Sequence, residues 1–404
     1  MLVIIGLAAF WYGLVPVIGA FMNRHQWRVF RRRFDDLRLK PFLDYAAYRL
    51  SEGGLYRFIG GFESVTDGHT LWIGNDDLTL PVSLVGAHTY VLPMPEKDEL
   101  TGGFDPGKET PARINWNQVT ALTEGARVFV GGPLLPQDNR LTFVSERDNP
   151  LLVIFYDGPD RSLTARTIRA GRKGNEYWNV ITPYALILGA FSQLLIVLNF
   201  LNRPAFKLTV LTAFFALFIP LLPMIPPGFA LTVLYRRLWW QARVYRTYRD
   251  MVRLPLKYLP AHQAPGAGGT LREPPEDPDP CRTGLLPDGE LYRCVYCDVL
   301  PDEARAAIEN RTLPLLIPEK AAGKHYGWYL CGAVPQDGGN GTAGIPCEPR
   351  DVFAVYGAIP GNPETLARNF TRLAYVLEII SWVALLVGIS LNTFFIGTII
   401  VLVS

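Results

Sequence analysis

The chain has 404 residues, room for two or three folded units, and a formal net charge of +2, too little for a dedicated nucleic-acid binder. Its hydrophobic fraction of 49% hides an uneven distribution: apolar blocks at 2–22, 179–201, 208–234 and 373–403 alternate with polar, Pro- and Gly-containing sequence. That pattern excludes a uniformly soluble enzyme fold and predicts a multi-pass membrane protein.

About 20 apolar residues are needed to cross the hydrocarbon layer. Residues 2–22 meet this without a charge, and with no basic start or small-x-small cleavage pattern they read as an uncleaved anchor over 1–22. A basic elbow and helix follow over 23–50, in which 26–39 reads QWRVFRRRFDDLRL. Segment 51–178 is predicted to be a β-rich domain. Short strand-like runs (YRFIGGF, HTLWIG, DLTLPVSL, HTYVLP, ARVFVGG, RLTFVSE, LLVIFY) are separated by Asx- and Gly-bearing turns. Such spacing suggests an OB-like barrel or a small sandwich.

A second span is predicted over 179–201 and a third over 207–234. Pro220, Pro223, Pro226 and Pro227 interrupt the third, and proline deletes a backbone donor inside a helix. It is either one kinked helix over 208–234 or a short span ending near Pro223 with a new helix starting at Pro227. A basic amphipathic helix over 235–257 contains QARVYRTYRDMVRL at 241–254, which aligns without a gap on 26–39. The pairs are Gln26/Gln241, Arg28/Arg243, Val29/Val244, Arg31/Arg246, Asp35/Asp250, Arg38/Arg253 and Leu39/Leu254. A Pro/Gly-rich linker (258–289), a second, smaller domain (290–372) and a fourth span (373–403) complete the chain.

The soluble segments also end alike. LLVIFYDGPDRSLTAR (151–166) and VFAVYGAIPGNPETLAR (352–368) each give a β-run, a turn and a Leu-(x)-Ala-Arg approach to a span, and Leu198-Asn199 echoes Leu391-Asn392. These repeats suggest a tandem duplication. Basic residues crowd the flanks at 24–40, 236–257 and 368–372, and only Arg203 and Lys207 lie between spans two and three. The positive-inside rule then puts both termini outside and 23–178 and 235–372 in the cytoplasm of a bacterial inner membrane. The fold class expected is an α+β integral membrane protein with four spans and two cytoplasmic β-rich domains.

On a helical wheel Trp240, Val244, Tyr248 and Met251 fall opposite Arg236, Arg243, Arg246, Arg249 and Arg253, a division suited to the headgroup plane. Arg28, Arg31, Arg32, Arg243, Arg246 and Arg253 are therefore the candidate lipid-headgroup residues, with anionic inner-leaflet lipid as partner and no nucleic acid. Cys294-Val-Tyr-Cys297 with His325 and Cys331 is a zinc-capable set. It lacks a second CxxC at ribbon spacing, and on a strand Cys294 and Cys297 face opposite sides, so small buried hydrophobes are the competing reading. Walker, dinucleotide, nucleophile-elbow and HExxH signatures do not occur, and neither a catalytic residue nor a cofactor is assigned.

Glu378 is the one ionisable side chain inside a span, and Gln193, Asn199 and Asn392 are placed to bond between helices. The reading is a non-enzymatic membrane protein whose domains bind a protein partner or self-associate. A small transporter or channel-like subunit is the first alternative. A membrane enzyme acting on lipid or envelope precursors, with Glu378 and the elbow arginines lining a headgroup pocket, is the second.

Overall fold

The computed structural model describes residues 2–67, 69–92, 112–113, 125–137, 140–172, 177–226, 228–259, 281–324, 327–335 and 345–403. The first half contains α1 (Leu2–Ala8), α2 (Val15–Leu37), α3 (Tyr45–Leu50), β1 (Gly54–Thr66), β2 (Thr70–Gly74), β3 (Thr79–Ser83), β4 (His88–Leu92), β5 (Ala112–Arg113), β6 (Arg127–Gln137), β7 (Arg140–Phe143), β8 (Leu152–Tyr156), α4 (Ser162–Arg169) and α5 (Thr182–Phe200). The second contains α6 (Lys207–Ala216), α7 (Gly228–Arg253), β9 (Cys281–Leu285), β10 (Leu291–Cys297), α8 (Asp302–Glu309), α9 (Glu319–Ala322), β11 (Trp328–Ala333), β12 (Gly357–Pro360) and α10 (Pro363–Val403). Two compact units form: Met1–Val29 with Gly171–Arg246 and Thr371–Ser404, and Phe30–Ala170 with Thr247–Phe370.

Among the described residues three helices are long and apolar enough to cross a membrane: Leu2–Leu37, Thr182–Phe200 and Pro363–Ile399. Leu2–Leu37 passes through a π-helical turn at Ala9–Leu14. Pro16 has no N–H to give the Tyr12 carbonyl, and that oxygen takes the Tyr177 hydroxyl instead at 2.9 Å. Asn179 donates its amide to the Pro16 carbonyl at 3.0 Å, and its Oδ1 accepts from the Ile181 N–H at the start of α5. Gly19 leaves room for this contact; a Cβ there would lie 2.3 Å from Asn179 Oδ1.

Among the described residues, not all four of the spans expected from the sequence are helices long enough to cross a membrane. Over 207–234 there is a ten-residue helix, α6, then a 3-10 turn at Ile219–Met224 containing Pro223, then the start of the 26-residue α7. The chain breaks where the second of the two sequence readings put it, and Pro227 itself lies outside the described residues. Ten residues of α-helix cover only about 15 Å, half the hydrocarbon thickness. Asn392 of α10 repairs the break: its Nδ2 donates to the Leu222 carbonyl at 2.5 Å and the Ile225 carbonyl at 3.0 Å. Its Oδ1 accepts from the Gly228 N–H at 3.2 Å. Backbone groups freed by proline in an apolar setting need such substitutes.

In the second unit, β1-β2-β3-β7-β6 close into a five-strand barrel through the β1–β6 pairing. All neighbours are antiparallel except β3 and β7, which meet in parallel at Val82↔Phe143. The barrel was one of the two expected forms, and its closure decides against an open sandwich. β1 serves two partners, β6 along 54–61 and β2 along 61–66, with a register shift between Phe62 and Ser64. The Gly60-Gly61 pair sits at this bend, and a Cβ on Gly60 would lie 2.5 Å from the Gly74 carbonyl oxygen. Phe58, Leu71, Ile73, Leu80, Val82, Val128, Val130 and Phe143 fill the interior. Beyond the barrel β6 also pairs with β8, then β8 with β4 and β4 with β5. Every residue of β8 is buried, as befits a run without alternation.

Segment 281–360 forms an antiparallel sheet in the order β12-β11-β10-β9 with α8 packed on it through Ala304, beside Leu300, Leu313, Leu330 and Ala358. The apolar run LPLLIP (313–318) contributes one isolated bridge, Leu315↔Ala358. Of the run VFAVYGAIP (352–360), only Gly357–Pro360 pairs as a strand. Both halves end in a strand, a turn and a helix, β8 to α4 and β12 to α10. Of the linker expected over 258–289, residues 260–280 lie outside the described residues, and Cys281–Leu285 is not linker but the edge strand β9 of the second sheet.

Candidate functional site

The first unit concentrates aromatic and basic side chains on α2, α7 and α10. Tyr235 and Trp239 of α7 and Trp382 of α10 form a triplet with ring centroids 5.9–6.1 Å apart. Two guanidiniums lie over the Trp239 indole, Arg243 at 4.5 Å and Arg24 at 5.6 Å, and Arg24 also lies 5.8 Å from the Phe21 ring. Arg246 donates to Glu378 at 2.5 Å. The carboxylate singled out from sequence is thus held by an elbow arginine. Tryptophan and tyrosine with arginine at one level is the composition of a membrane–water boundary.

The six candidate headgroup arginines do not share one environment. Arg28, Arg32 and Arg253 are exposed. Arg31 donates to the Ala170 carbonyl at 2.6 Å, Arg246 is paired as above, and Arg243 is buried on Trp239. Arg24, absent from the sequence-based set, shares the indole with Arg243. The helical wheel separates faces but does not show which arginines meet a partner in the folded chain. Of the polar residues in spans, Asn392 and Gln193 do reach other segments, Gln193 donating to the Ile4 carbonyl at 3.3 Å. Asn199 donates to Leu195 of its own helix and is exposed.

The second unit holds a buried polar network that joins its two stretches of sequence. Arg57 on β1 is 1% exposed and forks onto Asp351 through two hydrogen bonds of 2.9 and 2.7 Å, with a third to the Lys40 carbonyl at 2.7 Å. Its guanidinium lies 5.1 Å from the Phe353 ring, and Phe353 meets Phe129 edge-on at 5.2 Å. Arg38, fully buried, donates to Asp35 at 2.8 Å and to the Tyr258 hydroxyl at 2.5 Å; that hydroxyl donates on to the Phe353 carbonyl at 3.1 Å. Burial pushes the Tyr258 hydroxyl up, and the positive charge of Arg38 opposes this. Lys257 pairs with Asp35, and burial holds the Lys257 ammonium below its ordinary range. An Arg–carboxylate fork carries directional as well as ionic strength. This arrangement binds the barrel to the second sheet and leaves no guanidinium of Arg57 or Arg38 for solvent.

The zinc-capable set is dispersed. Among the described residues no three His, Cys, Asp or Glu side chains gather to hold a metal, and His325 lies outside those residues. Cys294 pairs in register with Cys331, thiol to thiol, and Cys297 packs at the edge of the α8 core. Burial, then the neighbouring Cys294, raises the Cys331 thiol above its usual range; burial, then Asp298, does the same for Cys297. Cys347 is exposed. Since the thiolate is the reactive form, maleimide is expected to label Cys347 at least about tenfold faster than Cys331 in the folded protein. Peptide mapping reads this directly, and equal labelling would contradict the buried pairing.

Comparison of the chain with protein-family models, with curated proteins and with solved structures found no match.

Proposed function

We propose that this chain is a non-enzymatic protein of a bacterial inner membrane that presents a cytoplasmic body for partner binding or self-assembly. Both termini lie outside, 23–178 and 235–372 lie in the cytoplasm, and the two halves descend from one duplicated unit. The observation that supports this best is the joining of 30–170 and 247–370 into one compact unit by buried Arg57–Asp351 and Arg38–Tyr258 contacts. Such pairs are weak sources of net stability, and their best-attested use is to fix one arrangement. A fixed arrangement of two sheets suits a docking platform. Large apolar side chains left exposed along the candidate spans, such as Ile187, Phe191, Leu198, Val383, Leu386 and Phe394, suit burial in lipid.

Chemical cross-linking in membranes, followed by purification in mild detergent, is expected to give a discrete oligomer or a co-purifying protein in fixed ratio. A strictly monomeric species without partner at every cross-linker concentration would sink the assembly reading. The interrupted segment between α6 and α7 favours a second reading, a small transporter subunit, because broken helices mark many transport sites. Reconstituted flux of a small solute is its test. Against it stands the use of the Asn392 amide, whose three bonds all go to backbone.

A further inference from the structure

We propose that Cys294 and Cys331 form a reversible thiol–disulfide site across β10 and β11, closed by oxidation with a peroxide and fastening the second sheet when closed. The two residues stand directly opposite one another with their thiols in hydrogen-bond contact. Three backbone bonds identify the kind of pair. The Val334 N–H donates to the Leu291 carbonyl, one position before the Tyr292↔Ala333 pair. Hydrogen-bonded and non-hydrogen-bonded pairs alternate along an antiparallel ladder, so Cys294↔Cys331 belongs to the non-hydrogen-bonded set. The flanking ladders agree. The Leu286 N–H donates to the Glu290 carbonyl, which turns the backbone groups of Cys294 toward Arg282 of β9. The Gly361 N–H donates to the Gly327 carbonyl, which turns those of Cys331 toward Gly357 of β12. In a pair of this kind the Cα atoms lie about 4.5 Å apart and the side chains come close. A disulfide spans about 4.4–6.8 Å between Cα atoms, so the bond needs no change of register.

Cys297 and Cys347 are placed to stay out of the link. Cys297 lies three positions along β10 and faces α8, the side opposite Cys294. Cys347 is exposed and donates its thiol to the Ala333 carbonyl at 3.5 Å. The reaction consumes one peroxide. One cysteine ionises and its thiolate attacks a peroxide oxygen; the O–O bond breaks, leaving a sulfenic acid and a hydroxide that takes the released proton to become water. The second sulfur then attacks the sulfenic sulfur, forming the S–S bond, and the departing hydroxyl leaves as water with that thiol's proton. Two electrons pass from the sulfurs to the peroxide. Both thiols are buried, and burial raises the Cys331 thiol, so oxidation follows opening of the sheet and is slow while it stays closed. Once made, the bond closes a loop over 295–330 that carries α8 and α9. Tyr292, on the same face of β10, packs on Tyr258 of the buried network, so the link forms beside the contacts that join the two soluble segments. The inference stands on strand register and does not depend on the membrane reading.

The test treats the full chain in detergent with hydrogen peroxide for longer than the β10 and β11 amides take to exchange. Remaining thiols are then blocked with N-ethylmaleimide, and peptides are mapped by mass spectrometry without reduction. The peptides bearing Cys294 and Cys331 are expected to be joined, with the loss of two hydrogens, and to separate in dithiothreitol. Cys294→Ala and Cys331→Ala are each expected to abolish the joined species, and Cys297→Ala to leave it. In the oxidised wild type, exchange of the β10 and β11 amides is expected to slow about 30-fold or more, from the usual effect of a disulfide. That comparison needs no variant and is independent of how the alanine changes fold. Recovery of Cys294 and Cys331 as two thiols overturns the site, as do separate sulfinic acids or preferential joining of either residue to another cysteine. A joined pair whose amides exchange as fast as in the reduced protein overturns the fastening of the sheet.

Discussion

Asp351→Ala is expected to cost the second unit about 3–5 kcal/mol, since it leaves the Arg57 guanidinium buried without its counter-charge. The carboxylate is 5% exposed and accepts two bonds from Arg57 and one from the Phe353 N–H, so alanine removes all three at once. Lys40 O remains to Arg57, which softens the loss but does not neutralise a buried cation. The double change Arg57→Met with Asp351→Leu is expected to recover much of that cost, because an apolar pair needs no desolvation. Denaturant titration of the full chain in detergent reads both. If Asp351→Ala stays within 0.5 kcal/mol of wild type, on the order of a surface substitution, the network does not hold the sheets together.

The second large effect belongs to the first unit. Asn392→Leu is expected to destabilise it by about 1–3 kcal/mol, with the Gly228 N–H losing its partner and the Leu222 and Ile225 carbonyls left with only their bonds from the Ile225 and Phe229 N–H groups. Single interhelical bonds in membranes average well under this, about 0.6 kcal/mol, because alternatives exist. Here the Gly228 N–H follows a proline-broken turn and has the Asn392 side chain as its acceptor, and Gly228 and Gly388 leave no space for a larger side chain to slide in. Asn199→Leu is the control: exposed and bonded only within α5, it is expected to change stability by less than about 0.5 kcal/mol. Thermal unfolding in one detergent that ranks the two variants equally would contradict the stapled break.

What the sequence discloses follows the range of the forces involved. All seven strand-like runs of 56–157 contribute to strands, because alternation such as Leu71 and Ile73 inward against Trp72, or a short continuous apolar run such as β8, is a local signal. Barrel closure was not readable: β3 and β7 meet at one parallel pair, Val82↔Phe143, between residues 61 apart with no shared pattern. The prolines announced the break after α6, since proline acts on its own backbone. Its repair by Asn392, 164 residues beyond Gly228, could be anticipated only as a polar residue in a span.

The same division holds at the candidate site. The opposed faces of Cys294 and Cys297 were legible from strand period, but Cys331 could be grouped with Cys294 only as a metal ligand and not as its cross-strand neighbour. Asp351 stands in no motif of the sequence and carries the deepest ion pair among the described residues, while Arg38 looked like one more basic elbow residue and is fully buried. Arg24 went unread because it lies outside the repeated string, and only folding brings it over Trp239.

Amide hydrogen exchange on the full chain, comparing wild type with Asp351→Ala, tests the joining of the two soluble segments most directly. Segments in one cooperative unit share an opening free energy. The account predicts that the amides of β1 and β6 and those of β10 and β11 lose protection together in the variant. Loss confined to β10 and β11, with Phe58, Val128 and Val130 as protected as in wild type, would contradict it and show two independent domains.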